Sequence, residues 1–321
     1  MKNPLVSVVA ICYNHERFIG ESLDSIRLQS YPNLEVLIID SYSSDNSVEK
    51  IEDYIEKYKL NLWQFVKNTE PKTICENLNF ALARIKGEYY QVISCDDIIL
   101  PNKISVQVNH LKKFNFEHSL IYSDLIRIDE FNEEIPEKSY LLQQQGFSIL
   151  NPPPSGYIFE TILGQWYVHT LTCLYSTAAV KQIGGYDNSL VFEDTDMILR
   201  LARHFSFLGT LEIVAKHRVL TNSLYNSRTL NFYVSTFYLF KKHLDFHPFQ
   251  RKVRRLVSHY FDFIFLKDSS RAISLFDSSK WNDFDFYIII YVNFYKISKS
   301  LKYTLAIRYV FLRLSKLFKF K

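Results

Sequence analysis

The apolar positions of this chain fall into short β-branched runs separated by amphipathic stretches of helical period. Leu5–Ile11 (LVSVVAI), Leu34–Ile39 (LEVLII), Leu62–Val66, Tyr89–Ile93 and Leu120–Ile128 have strand length, and the most continuous of them predict strands buried on both faces. Between them, Glu16–Gln29, the stretch from Ser43–Asn46 through Tyr58, Thr73–Arg84 and Asn102–Phe114 read as helices, with one-sided apolar sets such as Leu78, Ala81, Leu82 and Ile85. Alternating strand and helix predicts a largely parallel α/β sheet with right-handed crossovers. The pattern loosens over residues 129–160, where Pro136, Gly146 and Pro152-Pro153-Pro154 predict an exposed loop. It resumes with a strand-like Thr170–Tyr175 and a helix over Val191–Ala202. From about Thr229 it becomes long, aromatic, basic and helical. The change of texture predicts a body of residues 1–225 and a helical region of residues 226–321.

Composition sharpens that division. With 47% apolar and 22% charged residues in 321, the chain can bury a core, which excludes wholesale disorder. The net charge of +4 hides a split. Residues 1–215 hold 18 Lys and Arg against 28 Asp and Glu, a net −10, whereas residues 216–321 hold 20 against 6, a net +14. Such asymmetry suggests that the two parts face different partners. Lys296, Lys299, Lys302, Arg313 and Lys316 recur on one helical side, which predicts a basic amphipathic helix on an anionic membrane surface. Lys252, Arg254 and Arg255 would add to it, and the competing reading is an ordinary solvated face. No nucleic-acid recognition motif accompanies the basic residues. No apolar run reaches the roughly 20 residues of a membrane span, and no charged-then-apolar leader opens the chain, so a cytoplasmic setting is expected. Cys12, Cys75, Cys95 and Cys173 lie far apart in sequence and predict neither a zinc site nor a disulfide framework.

The stretch Ile93–Pro101 carries the first chemistry. Asp96-Asp97 follows a buried strand, at the edge of an open α/β sheet where ligands bind. Adjacent carboxylates repel, and a divalent cation carrying a phosphate would compensate them; an acidic turn capping the next helix is the plainer alternative. Asp40 ends the second strand in the same way, so it can converge on the same crevice or simply form a turn. Asp194 and Asp196 open a helix, where acids are favoured by the helix dipole whatever else they do.

Taken in order, these segments resemble the inverting, GT-A-fold family 2 glycosyltransferases of bacterial surface-polysaccharide synthesis, over about residues 4–225. The resemblance rests on Pro4–Val9 with Tyr13-Asn14, Gln29–Glu35 (QSYPNLE), Asp40-Ser41-Tyr42-Ser43-Ser44-Asp45 against the usual Asp-Asp-Gly-Ser-x-Asp, and Asn79 with Gly87-Glu88-Tyr89. Asp96-Asp97 with Pro101, Lys103 and Gln107 follows, then Gly184-Gly185-Tyr186-Asp187 and Glu193-Asp194. It implies a mixed, mostly parallel sheet flanked by helices, with a helical C-terminal extension. It further implies a UDP-sugar donor, a lipid-linked glycan acceptor, a divalent Mn2+ or Mg2+ cofactor and a peripheral place on the inner membrane face. The resemblance assigns Asp194 as catalytic base, and Tyr13, Asp40, Asn79 and Asp96 to the donor nucleotide. Asp96 and Asp97 are assigned to the metal, and Gly185, Tyr186 and Glu193 to the acceptor side; Trp166 and His169, before a strand in that segment, are either acceptor contacts or core and rim packing.

Three positions depart from the pattern. Ser41 replaces the second acid of the base-binding pair, and Ser94 replaces the first acid of the Asp-x-Asp element. Leu220 stands where a metal-binding histidine is usual, with His217 nearby but out of register. A weakened metal site, or a nucleotide-sugar-binding protein of the same fold with little catalysis, is the alternative these departures raise.

Overall fold

A computed structural model describes residues 3–220, 229–280, 283–298, 304–305 and 308–309. The chain divides into two compact units, Met1–Asn226 and Ser227–Lys321.

In the first unit the earliest runs form the elements their patterns predict. Strand β1 (Val6–Cys12) is buried at all seven positions, and β2 (Leu34–Asp40) at its last five. Helix α1 (Ile19–Arg27) buries Ile19, Leu23 and Ile26, and α2 (Ser47–Lys57) buries Ile51 and Tyr54. After β3 (Gln64–Lys67), helix α3 (Ile74–Arg84) starts in a capping box in which the Thr73 side chain accepts from the Glu76 N–H and Glu76 reaches back to Thr73. β4 (Tyr89–Ser94), β5 (Ile98–Ile99), α4 (Lys103–Lys113) and β6 (Leu120–Ile128) follow. The remaining elements of this unit are β7 (Glu134–Ser139), α5 (Phe159–Gly164), β8 (Leu174–Ser176), α6 (Thr177–Gln182), α7 (Asp194–His204) and β9 (Phe207–Arg218).

Among the described residues nine strands form one sheet, ordered β3-β2-β1-β4-β8-β6-β9-β5, with β7 on β6. β1, β2, β3 and β4 are parallel neighbours, as is the pair β6 and β9. The pairings of β8, β7 and β5 are antiparallel, which gives a mixed sheet. The chain runs from β1 out to β2 on one side and returns to β4 on the other, so the strand order reverses at β1. That reversal opens a crevice above the carboxyl ends of the strands.

Two expectations change. The strand-like Thr170–Tyr175 is a 3-10 turn at Thr170–Thr172 followed by the short β8, because the Thr172 and Cys173 N–H groups bond back to His169 and Thr170. The stretch 129–160 is more ordered than its prolines suggest. It holds β7 and a π turn at Tyr140–Gln144, both gathered on the buried Asp124 carboxylate. That carboxylate accepts from the Leu125 N–H (2.8 Å), the Leu141 N–H (2.7 Å), the Leu142 N–H (3.3 Å) and the Ser139 hydroxyl.

The second unit is helical: α8 (Leu230–Lys241), α9 (Gln250–Lys267), α10 (Ser269–Asp277) and α11 (Phe286–Ser298). Its core is aromatic, with Phe237, Phe261, Phe276 and Phe284 in mutual ring contact. Among the described residues no helix is long and apolar enough to cross a membrane. Of the expected basic helix, Lys296 lies in α11, paired with Asp277 and set over the Phe276 ring. Lys299, Lys302, Arg313 and Lys316 lie outside the described residues. The charges of Arg255, Arg254 and Arg251 act on Asp285.

Candidate active site

The crevice is built from the ends of β1, β2 and β4. Cys12 registers with Asp40, and Ile11 with Ser94. Beyond the register, the Ser41 N–H donates to the Cys12 carbonyl (2.7 Å) and the Asn68 N–H to the Asp40 carbonyl (3.1 Å). Asp40 is therefore pinned from both sides while its side chain closes a turn, accepting from the Ser43 N–H (2.9 Å) and the Ser43 hydroxyl. The loop after β1 is stapled to this turn. Asn14 N–H donates to Ser43 Oγ (2.9 Å), Ser44 N–H to Asn14 Oδ1 (2.8 Å) and His15 N–H to Ser47 Oγ (2.9 Å). Tyr13 and Tyr42, 53% and 49% exposed, belong to the two stapled loops. Ser41, in place of an acid, points into the protein, accepting from Asn77 Nδ2 (2.9 Å) and donating to the Lys72 carbonyl (3.2 Å).

The acidic pair is split by its surroundings. Asp97 is buried and turned inward, its carboxylate accepting the Arg218 N–H at 2.9 Å. Burial, reinforced by the charge of Asp96, pushes its carboxyl well above the usual range. Asp96 faces His15, whose Nε2 lies 3.8 Å from its Oδ2. Its Oδ1 is buried and has no hydrogen-bond partner among the described residues. The turn that presents both is held by Arg218, a residue that sequence pattern did not single out as functional. Its Nε donates to the Asp96 carbonyl (2.9 Å), Nη1 to the Asp129 carbonyl (3.0 Å) and Asn132 Oδ1 (2.7 Å), and Nη2 to Glu21 (2.8 Å). The guanidinium also lies over the Phe18 ring.

The thiols of Cys12 and Cys95, distant in sequence, hydrogen-bond beneath this corner. All four cysteines are free.

The expected acceptor side lies at the start of α7. Glu193 and Asp194 are partly buried neighbours; burial first, and the Asp194 charge second, push Glu193 up to about 8. Burial raises Asp194 as well, offset by the Thr195 N–H (2.6 Å) and hydroxyl (3.1 Å). Asp196 is not part of this pair: it is buried in an ion pair with Arg200 (2.7 Å). Arg200 also binds the Ile183 and Gly185 carbonyls, so these residues hold the Gly184-Gly185 turn. Asn79 completes that clamp. Its amide donates to the Tyr186 carbonyl (2.8 Å) and Asn188 (2.9 Å), and accepts the Tyr186 N–H (2.8 Å). Gly185 needs its lack of side chain, since φ is +72° and a Cβ would come within 2.7 Å of Asn79 Oδ1. Tyr186 is buried, its hydroxyl 2.7 Å from that of Tyr90. Asn79, Gly185 and Tyr186 thus brace one another.

Cys173 Sγ donates to the His169 carbonyl (3.3 Å). The His169 and His217 rings lie 4.7 Å apart, and the Asp96 charge acts on His217. Burial, with His217 beside it, holds the His169 imidazole well below its ordinary value, so it is neutral. The Trp166 carbonyl receives the Tyr140 hydroxyl at 3.3 Å. Leu220 is partly buried just past β9. Among the described residues no group of three or more His, Cys, Asp or Glu is arranged to hold a metal ion.

An α/β sheet with acids gathered at the carboxyl edge beside a reversal of strand order defines the class of fold that binds nucleotides in that crevice. Residues 7–166 match the model of glycosyl transferase family 2, and through this region the chain belongs to that family. An uncharacterized glycosyltransferase of Rickettsia typhi is 28% identical over 222 residues, covering 68% of this chain and 64% of the relative. This chain therefore corresponds to less than two thirds of that relative's length. Among solved structures, S. aureus TarS 1–349 in complex with UDP-GlcNAc superposes with a TM-score of 0.60 at 17% identity, covering 84% of this chain and 75% of that one. Mannosyltransferase PcManGT from Pyrobaculum calidifontis, in complex with GDP-Man and Mn2+, gives 0.60 at 15% identity, covering 97% and 87%. The expected GT-A-type fold with helical C-terminal region is the one observed.

Proposed function

We propose that this chain is an inverting glycosyltransferase that moves a sugar from a nucleoside diphosphate, UDP first, to a lipid-linked glycan of a bacterial surface polysaccharide such as capsule or O-antigen. The observation that carries the reading is the Asp96 carboxylate. It follows the strand beside the order reversal, with one buried oxygen that has no hydrogen-bond partner among the described residues and His15 Nε2 3.8 Å from the other. Membership of the family supports the reaction class, and the UDP-GlcNAc bound by TarS supports the choice of UDP.

In this reading Tyr13 lies against the base, and Asp40, already oriented by Ser43, accepts an imino N–H of the uracil. Asp96 is the residue that would hold a divalent cation, and its open oxygen suits a hard ion whose other ligands are phosphate and water. Such a cation, when bound, neutralises charge on the departing pyrophosphate. Asp97 serves the corner through Arg218, by fixing the turn. Asp194 takes the proton of an acceptor hydroxyl as that oxygen attacks the anomeric carbon. The bond to the pyrophosphate breaks on the opposite face, which inverts the centre. Burial makes Asp194 a stronger base than a solvated carboxylate. Burial and the Asp194 charge push the neighbouring Glu193 carboxyl up as well, so the two carboxyls titrate as a pair. Trp166 and the neutral His169 line the acceptor side, with Gly185 and Tyr186 shaping it. The net +14 of residues 216–321 supports a peripheral place on the anionic inner membrane face, where lipid-linked acceptors reside.

A second reading, a nucleotide-sugar-binding protein with little turnover, is favoured by Ser94, Leu220 and the lack of a three-ligand metal group among the described residues. Both readings require donor binding. A thermal-shift panel of UDP, GDP and UDP-sugars, with and without Mn2+, tests it. UDP at about a hundred times its Kd stabilises the folded state by about 2.7 kcal/mol, a rise of several degrees; no stabilisation by any nucleotide would sink both readings.

A further inference from the structure

The Asp96 corner brings an imidazole up to a carboxylate without joining them. The loops after β1 and β4 flank the point where the strand order reverses, and there His15 Nε2 lies 3.8 Å from Asp96 Oδ2. That gap is too long for a hydrogen bond. It is within the roughly 4 Å that two ligands of one small cation can span. Each group also has an atom left over: His15 Nδ1 and Asp96 Oδ1 are buried without a hydrogen-bond partner among the described residues. Buried polar atoms are nearly always paired, so two open ones side by side mark a place for an ion or a water. Neither residue is loosely placed. The His15 N–H donates to Ser47 Oγ (2.9 Å), and its carbonyl accepts the Phe18 (2.9 Å) and Ile19 (3.0 Å) N–H groups at the start of α1. On the other side the Cys95 N–H donates to the Ile11 carbonyl (2.9 Å), and Arg218 grips the Asp96 carbonyl. The neighbouring Asp97 is buried on the Arg218 N–H, so the corner offers one open carboxylate and one imidazole.

We propose that His15, through Nε2, joins Asp96 in holding a divalent cation at this corner, and that the mixed nitrogen and oxygen pair favours a first-row transition ion such as Mn2+ over Mg2+. This rests on the donor-site reading above, in which Asp96 is the carboxylate for that cation. Mg2+ keeps oxygen and water ligands, whereas an imidazole adds affinity for transition ions. A cation that shares substrate phosphates needs only one or two protein ligands, fewer than the three-residue group that the described residues lack.

The test reads the ligand atom directly. Mn2+ bound to the full chain with UDP is followed by electron paramagnetic resonance, with pulsed measurements that detect nitrogen bonded to the ion. UDP binding is measured by calorimetry with Mn2+, with Mg2+ and without metal. The inference expects nitrogen coupling in the parent and none in His15→Gln. It expects that variant to bind Mn2+ at least about tenfold more weakly, since even a residue that only orients a ligand typically costs that much, and to lose less affinity for Mg2+. Absence of nitrogen coupling in the parent overturns it, whether or not the variant folds. So does coupling that survives in His15→Gln, which would put another imidazole such as His217 on the ion. Equal weakening of UDP with and without Mn2+ would make His15 a direct diphosphate contact and overturn it too. If UDP binds and Mn2+ does not, the donor-site reading stands, and the cation and this inference fall. If the parent binds no nucleotide, both are wrong.

Discussion

At the scale of single residues, the site is an arrangement of acids made unlike one another by their partners. Asp40 is a turn acid, Asp96 keeps one oxygen open, Asp97 is buried on a backbone N–H, and Asp196 is neutralised by Arg200. The sequence placed the first three at strand ends, because a β-branched run followed by an acid is a local pattern. Asp196, which opens the same helix as Asp194, is taken up by the i,i+4 ion pair with Arg200. Arg218 was not legible as functional, since its partners Glu21, Asp96 and Asp129 are scattered along the chain and only folding assembles them. Its side chain is 1% exposed and makes four side-chain hydrogen bonds across three segments. Arg218→Ala is expected to cost about 2–3 kcal/mol, because it removes a buried side chain whose hydrogen bonds tie three segments together. Urea unfolding checks this: a loss under about 1 kcal/mol would show that the turn does not depend on Arg218.

At the scale of elements, patterns with one clear period were readable and mixed ones were not. β1, β2 and α3 follow their apolar spacing. β9 was missed because its burial alternates irregularly, which its register shifts against β6 explain, and β7 because its sequence EIPEKS is charged. The stretch 129–160 looked loose because Asp124, its anchor, precedes it and reads as one more strand residue. Between α4 and the turn before β8 lies a buried polar link. Lys103 Nζ donates to Gln107 Oε1 (2.8 Å), while Gln107 Nε2 donates to the Thr172 carbonyl (2.7 Å) and Ser123 Oγ (3.0 Å). Lys103 is fully buried, and burial lowers its pKa to about 7. Gln107→Ala strands an amine and a carbonyl, while the Ser123 hydroxyl keeps Thr210 Oγ1 (2.8 Å), so a loss of about 2–3 kcal/mol is expected. Denaturant titration at pH 7 measures it, and a neutral result would mean that water or repacking satisfies these groups.

At the scale of the molecule, the charge split along the chain follows a change of architecture: an acidic α/β unit precedes a basic, aromatic helical one. The fold was legible because alternation of strand and helix is a global pattern. The acceptor was not, because pocket shape depends on how distant segments meet. The central claim is that Asp194 is the base of a sugar transfer for which the Asp40–Asp96 edge binds the donor. The most direct measurement is UDP release from UDP-sugars with a lipid-linked glycan extract as acceptor, comparing the parent chain with Asp194→Asn, with UDP binding measured in parallel. The account predicts release by the parent and a drop of about 10²–10⁴-fold in Asp194→Asn with UDP affinity unchanged. Parental release rates in Asp194→Asn, or UDP binding with no release from any UDP-sugar by the parent, would contradict it.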